Sequence, residues 1–238
     1  MANKQSKPPS IHWPLAVGWK AKLAEFGALI VHQVPLDADN RSLHGVATQL
    51  GTASLRAIDR GLAEANGVQR VEALAAAVRD RFGKPLKSAN NDSFDLHTDE
   101  SFFADPARYV LLHCWRAASE GATVLADTRQ LQSALARVEW LAWTQLRLPY
   151  PCGDYCSINT RGVVRFNAAE CKQAQLTTTQ RHWLTRFSAT LQRIAIQIAL
   201  RPGDLLIIDN HRFLHGRRAF AADSGRMLKR LRIADSEI

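Results

Sequence analysis

Asp95-Leu96-His97-Thr98-Asp99-Glu100 sets an imidazole and a carboxylate two positions apart in a segment that reads as extended. On a strand such residues point to one face, which would bring His97 and Asp99 together. Two ligands of this kind need a third, and His215, within Asn210-His211-Arg212-Phe213-Leu214-His215-Gly216-Arg217, is the best candidate. Two histidines and one carboxylate on one face of an octahedron suit non-haem Fe(II) and leave three positions open for a co-substrate and oxygen. Downstream of His215, Arg226 and Arg230 could supply fixed cations. They are an even four residues apart, so on a strand they share a face.

These side chains must be held by a scaffold, and the patterning indicates one. Leu15, Trp19, Leu23 and Phe26 recur at helical spacing before Gly27, and Ala28 to His32 reads as a buried strand in which His32 is a satisfied core histidine. A second helix carries Leu43, Val46 and Leu50 and ends at Gly51. From Ala57 to Phe82, above all over Val71 to Val78, propensity favours helix, interrupted by Gly61 and Gly67. Lys87 to Ser93 is a polar loop leading into the strand of His97 and Asp99. Tyr109 to Trp115 and Gly121 to Leu125 are further strands. Leu131 to Leu146, with Trp140 and Trp143, is expected to be one inserted helix. The loop from Pro149 to Asn159 is long enough to close over a site, and Val163 to Phe166 reads as a strand. Thr177 to Arg193 is expected to be a helix with Trp183, Leu184, Phe187 and Leu191 inward. Ile194 to Leu200 alternates, Arg201-Pro202-Gly203-Asp204 turns, and Leu205 to Ile208 follows, which is a hairpin signature. Met227 to Ile233 should pair back into the sheet. Strands without regular strand-helix alternation indicate a mainly β fold, an antiparallel sandwich with flanking helices.

The 238 residues, 46% of them hydrophobic, suffice for one domain, taken here as 11–238 after a loose segment 1–10. No apolar run reaches the roughly 18 residues that span a bilayer, and the polar N-terminus lacks a leader's apolar core, so the expected location is the cytoplasm. Cys114, Cys152, Cys156 and Cys171 are read as reduced thiols; the Cys152 to Cys156 spacing lacks the second pair that a zinc site needs. The net charge is +9, and from Arg181 onward eleven Lys or Arg face five Asp or Glu. With no basic run interleaved with aromatics, this indicates a solvated basic face or a pocket for small anions, and argues against a nucleic-acid partner.

The chain resembles the taurine dioxygenase-like family of Fe(II)/2-oxoglutarate-dependent oxygenases, to which the clavaminate synthase group is similar. His97-Thr98-Asp99 with Ser101-Phe102-Phe103 resembles that family's first iron-binding strand, and Glu120-Gly121-Ala122-Thr123 its Gly-Gly-x-Thr turn, with Glu120 in place of the first glycine. Pro202-Gly203-Asp204 with Asp209 to Arg217 resembles its second motif, and Arg226-x-x-x-Arg230 its tail. The resemblance implies a double-stranded β-helix, a jelly-roll or cupin-like core. It implies iron on His97, Asp99 and His215, and Arg226 with Thr123 on the distal carboxylate of 2-oxoglutarate. Oxygen would decarboxylate that co-substrate to succinate and carbon dioxide while a C–H bond of a small polar metabolite is oxidised. An Arg fork suits the far end of the diacid on physical grounds as well. Asp99 favours hydroxylation over halogenation, since halogenating relatives lack this carboxylate. Arg230 would meet an anionic group of the substrate and Glu100 an amino group, which makes an amino acid, a small carboxylate or a sulfonate the expected class. The alternatives are a metal-binding cupin-like protein without oxidation chemistry, against which Arg226 speaks, and a nucleic-acid demethylase, whose arginine pattern differs.

Overall fold

The computed structural model describes residues 7–56, 62–76, 78–79, 83–150, 155–157, 159–160 and 163–234. Two antiparallel sheets pack face to face. The larger contains β1 (Ser10–His12), β2 (Ala28–His32), β3 (Thr52–Ala53), β4 (Gln69–Glu72), β6 (Tyr109–Arg116), β13 (Leu205–Asp209) and β15 (Met227–Ala234). Its order is β1-β2-β13-β6-β15-β3, with β4 also on β15, and only β1 and β2 run parallel. The smaller, ordered β12-β7-β14-β5, contains β5 (Phe94–His97), β7 (Thr123–Asp127), β12 (Ile196–Ile198) and β14 (Phe213–Arg217). Two small hairpins, β8 (Arg147–Pro149) with β9 (Tyr155–Ser157) and β10 (Asn159–Thr160) with β11 (Val163–Val164), stand outside these sheets. This is the antiparallel sandwich that the patterning indicated, with the jelly-roll character that the family resemblance implied.

Period-two alternation sorts the strand side chains into layers. Val110, Leu112 and Cys114 of β6, Leu206 and Ile208 of β13, Leu228 of β15 and Leu125 of β7 meet between the sheets. The outer face of the larger sheet, with Leu111, Leu205, Ile207, Leu231 and Ile233, is covered by α1 (Trp19–Phe26) and α2 (Arg41–Ala47) through Trp19, Leu23, Leu43 and Val46. The outer face of the smaller sheet, with Leu96, Val124, Ala126 and Leu214, is covered by α3 (Thr128–Ala134), α4 (Arg137–Gln145) and α5 (Thr178–Ile194). Thr177 and Gln180 form a capping box at the start of α5, and Leu184, Phe187 and Leu191 are its buried stripe. Each such side chain contributes about 1.5–3 kcal/mol by leaving water. His32 is satisfied by the Asp204 carboxylate at 2.8 Å.

Four local expectations are corrected. Within 57–82, the described part contains β4 rather than helix, because pairing of Val71 opposite Leu228 on β15 overrides the Ala-rich propensity; residues 57–61, 77 and 80–82 lie outside the described set. Leu131 to Leu146 is two helices: Leu135 and Ala136 are extended, and the Glu139 carboxylate accepts the Ala136 N–H to restart the helix. The segments flanking Arg201 to Asp204 form no hairpin. Asp204 accepts the Arg201 N–H with its side chain and the Cys114 N–H with its carbonyl, so β13 enters the larger sheet between β2 and β6 while β12 stays on β7 in the smaller. Finally, β5 ends at His97, and Asp99 lies in the turn beyond it. At the N-terminus, Ser10 already belongs to β1, and residues 1–6 are outside the described set. Of the loop from Pro149 to Asn159, residues 151–154 and 158 are also outside it.

Candidate active site

β5 is the edge of the smaller sheet and pairs with β14 so that His97 lies directly opposite His215. Gly216 permits this approach: a Cβ there would stand 2.4 Å from the Phe94 carbonyl oxygen. The His97 ring stacks on Phe94, centroids 3.9 Å apart, and its Nδ1 is 2.9 Å from the Asp95 carbonyl oxygen. A carbonyl only accepts, so Nδ1 carries a proton there and Nε2 is the nitrogen turned toward the cluster.

Asp99 reaches the same point from a pinned turn. Asn210 accepts the Asp99 N–H at 3.0 Å and donates to the carbonyls of Asp99 (3.1 Å) and Ala107 (2.8 Å). The Thr98 hydroxyl donates to Val164, and Glu100 takes a left-handed φ of 61°. Asp99 Oδ1 lies 3.2 Å from His97 Nε2 and 3.9 Å from His215 Nε2, while Oδ2 accepts from Arg232 Nε at 2.9 Å. Burial works to raise the Asp99 carboxyl, but Arg230 and Arg232 hold it well below the usual range. Burial, helped by His97, pushes His215 down to about 3, with Asp99 opposing. The cluster is thus two imidazoles and a carboxylate held anionic, with ligand atoms within 4.8 Å of one another and all buried. His97 Nε2 and Asp99 Oδ1, 3.2 Å apart, face one another closely enough to hold one cation in common. The donor set thus fits a divalent metal, and the Asp95 carbonyl supplies the outer contact that metal-bound histidines usually have.

Two cavities meet at this cluster. The outer, open one, of about 300 Å³, is lined by Lys87, Phe94, His97, Asp99, Glu100 and Arg230 among others. The inner, narrow one is lined by His97, His215, Thr123, Arg217, Arg226 and Arg230 among others. Alternation puts Arg226, Leu228, Arg230 and Arg232 on the inward face at β15, as the even spacing indicated. Arg226 is buried and its Nη1 has no hydrogen-bond partner among the described residues. Gly121 makes room for it, since a Cβ there would stand 2.9 Å from Arg226 Cδ. The glycine that this turn requires is thus present, although Glu120 precedes it. Arg230 is not placed as a lone anchor: Nη1 is 3.4 Å from Asp99 Oδ2 and Nη2 donates to Gln69 at 3.1 Å. The buried Glu100 carboxylate accepts from Ser54 (2.8 Å), Arg56 (3.2 Å) and the Ala107 N–H (3.0 Å).

Four functional side chains were not singled out from sequence. Asn210 and Arg217 lie inside a motif that was. Arg232 continues the even step from Arg226 and Arg230 and could have been found by parity. Gln69, which accepts from both Arg230 and Arg232, sits in the stretch read as helix and carried no signal.

Fold and site together define a jelly-roll protein with a buried two-histidine, one-carboxylate cluster beside an arginine-lined cavity. The sequence matches the taurine catabolism dioxygenase TauD, TfdA family over residues 10–154 and 157–232, and the chain belongs to this family of Fe(II)- and 2-oxoglutarate-dependent dioxygenases. That membership removes the non-oxidative cupin alternative. Among solved structures, asparagine oxygenase is similar with a TM-score of 0.72 and 19% identity, over 93% of this chain and 79% of that one. PvcB from Pseudomonas aeruginosa is similar with a TM-score of 0.68 and 22% identity, over 92% and 80%. The non-heme iron oxygenase OrfP in complex with Fe and α-ketoglutaric acid is similar with a TM-score of 0.69 and 17% identity, over 92% and 80%. Among curated proteins, none matches the chain by sequence.

Proposed function

We propose that this chain, as one catalytic domain from residue 11 onward, oxidises an unactivated C–H bond of a small polar metabolite, an amino acid or a small carboxylate or sulfonate. Fe(II) would be held by His97, Asp99 and His215, and the distal carboxylate of 2-oxoglutarate by Arg226 with Thr123. When bound, iron and 2-oxoglutarate supply the family's oxygen chemistry, in which the co-substrate leaves as succinate and carbon dioxide. The protein's own part is positional. Asn210 and Arg232 orient Asp99 so that Oδ1 addresses the metal, Asp95 fixes the His97 tautomer, and the inner cavity receives the co-substrate's far end against a cation.

One observation carries this reading: His97 and His215, two of the three clustered ligand side chains, line one cavity with a buried arginine that has no ion-pair partner among the described residues, and Asp99 completes the cluster beside it. Arg230 borders the outer cavity and is the group proposed to meet a substrate anion. Glu100 is proposed to face a substrate amino group, which requires the half-exposed Arg56 to give up its contact. An amino-acid substrate is supported by two similar structures, asparagine oxygenase holding 3-hydroxyasparagine and OrfP holding hydroxyarginine. The buried Cys114, a free thiol, supports a reducing, cytoplasmic setting. The test is succinate release with iron, ascorbate and 2-oxoglutarate across a library of amino acids, carboxylates and sulfonates. Stimulation by one of these classes is expected; slow unstimulated turnover that none of them accelerates would overturn the substrate class.

A further inference from the structure

Arg217 lines the inner cavity and is bonded to a wall of the outer one. It lies two residues after His215 on β14, opposite Thr123 on β7 and Phe94 on β5, so alternation turns it inward with the iron-side residues. Its Nη2 donates to the carbonyl oxygens of Lys87 (3.1 Å), Asn90 (2.9 Å) and Asp92 (2.7 Å) and to Asn90 Oδ1 (3.2 Å). Those bonds hold the 87–92 segment, whose Lys87, Ser88 and Asp92 line the outer cavity. Beside Nη2, on the same edge of the guanidinium, Nε is buried without a hydrogen-bond partner among the described residues, and Arg217 belongs to the wall of the inner cavity. Arg217 and Arg226 flank the same Phe220 ring, 5.0 and 5.2 Å from its centroid. Among the described residues neither guanidinium forms an ion pair, although each is about 95% buried.

Two buried cations with no ion pair among the described residues are costly, and the cost falls when an anion enters the cavity that both line. Arg226 alone already suffices to fork one carboxylate, so the second guanidinium calls for a separate account. We propose that Arg217 is a positioning residue that joins the two ligand sites: its Nε helps Arg226 hold the distal carboxylate of 2-oxoglutarate, and its Nη2 then fixes the 87–92 wall of the substrate cavity. Co-substrate binding therefore orders the wall against which the substrate docks. By linkage, whatever holds that wall also tightens the co-substrate. This rests on the 2-oxoglutarate reading given above.

The test is amide hydrogen exchange of the anaerobic Fe(II)-loaded protein with and without 2-oxoglutarate, paired with the affinity for 2-oxoglutarate itself. In the wild type, 2-oxoglutarate is expected to slow exchange across 87–93. In Arg217→Gln the affinity should fall about tenfold or more, which corresponds to ~1.4 kcal/mol, and the protection should vanish. Arg217→Lys keeps the buried charge and so guards against mere misfolding. It should recover part of the affinity but not the protection, because one ammonium cannot address the co-substrate and also replace the Nη2 bonds to the 87–92 carbonyls. Unchanged affinity and undiminished protection in Arg217→Gln overturn the inference while leaving the co-substrate reading intact. A wild type that binds iron but not 2-oxoglutarate overturns both.

Discussion

At the scale of single residues, the site depends on groups that address other groups rather than ligands. Asn210 makes three hydrogen bonds in the Asp99 turn. Asn210→Ala leaves the buried Asp99 N–H without its acceptor, so roughly 1–3 kcal/mol of stability should be lost. Fe(II) affinity should fall with it by about tenfold to a hundredfold. Chemical denaturation and anaerobic metal titration measure both, and a variant that loses neither would remove Asn210 from the account. Arg230 tests the substrate side. Arg230→Gln should leave slow, substrate-free decarboxylation of 2-oxoglutarate in place and collapse substrate-stimulated turnover. A parallel loss of both would assign Arg230 to the metal and co-substrate, a role its 3.4 Å approach to Asp99 makes concrete.

At the scale of elements, the approach of β14 to β5 sets the distance between the two histidines. Gly216→Ala places a methyl group against backbone at 2.4 Å, where no flexible side chain can yield, so the strands must part. A destabilisation of about 1–3 kcal/mol is expected, together with weaker metal binding, read by thermal melting and metal titration. A stable variant with unchanged metal affinity would show that the pairing tolerates more than the geometry allows. Sequence patterning was informative about this level in a definite way. Alternation identified β2, β6, β13 and β15 and which of their side chains share a face, because burial of one or both faces is written in the residue types. It could not identify partners. The stretch from Ile194 to Ile208 looks like a hairpin, and only the bonds of Asp204 and Gly203 to Cys114 on β6 send its halves to different sheets. β4 looks helical because its strand character comes from β15, a contact more than a hundred residues away. His97, Asp99 and His215 were legible since ligand types are few and their spacing is short. Arg232 was open to the same parity argument as Arg226 and Arg230, whereas Gln69 was not legible, because its role exists only once β15 lies beside β4.

At the scale of the whole molecule, helices on both outer faces leave the space between the sheets to an apolar core at one part and to the metal and anion cavities at another. Full burial on the helix-covered side also has a titration consequence. Burial pushes His113 down to about 4, with the Val34 carbonyl opposing and Lys229 adding to it. The folded state therefore keeps His113 neutral while the unfolded chain, with a pKa near 6.5, takes up a proton. Stability contributed by the neutral ring is present above about pH 6.5 and is lost as pH falls towards 4. Between pH 7 and 5 the metal-free protein should lose roughly 2 kcal/mol through this group. Urea denaturation of His113→Gln should show a shallower acid loss than the wild type, and an identical slope would exclude His113 as the cause. The central claim is that metal ligands and co-substrate cation form one site, and anaerobic binding of Fe(II) followed by 2-oxoglutarate tests it most directly. The wild type should bind one Fe(II) and then one 2-oxoglutarate per chain, and His97→Ala should lose the metal and, with it, the tight binding of 2-oxoglutarate. Arg226→Ala should retain the metal while 2-oxoglutarate binding weakens about a hundredfold or more, the effect of removing one partner of a buried ion pair worth ~3–5 kcal/mol. Fe(II) binding at full strength in His97→Ala, or 2-oxoglutarate affinity changed by less than about threefold in Arg226→Ala, would contradict the account.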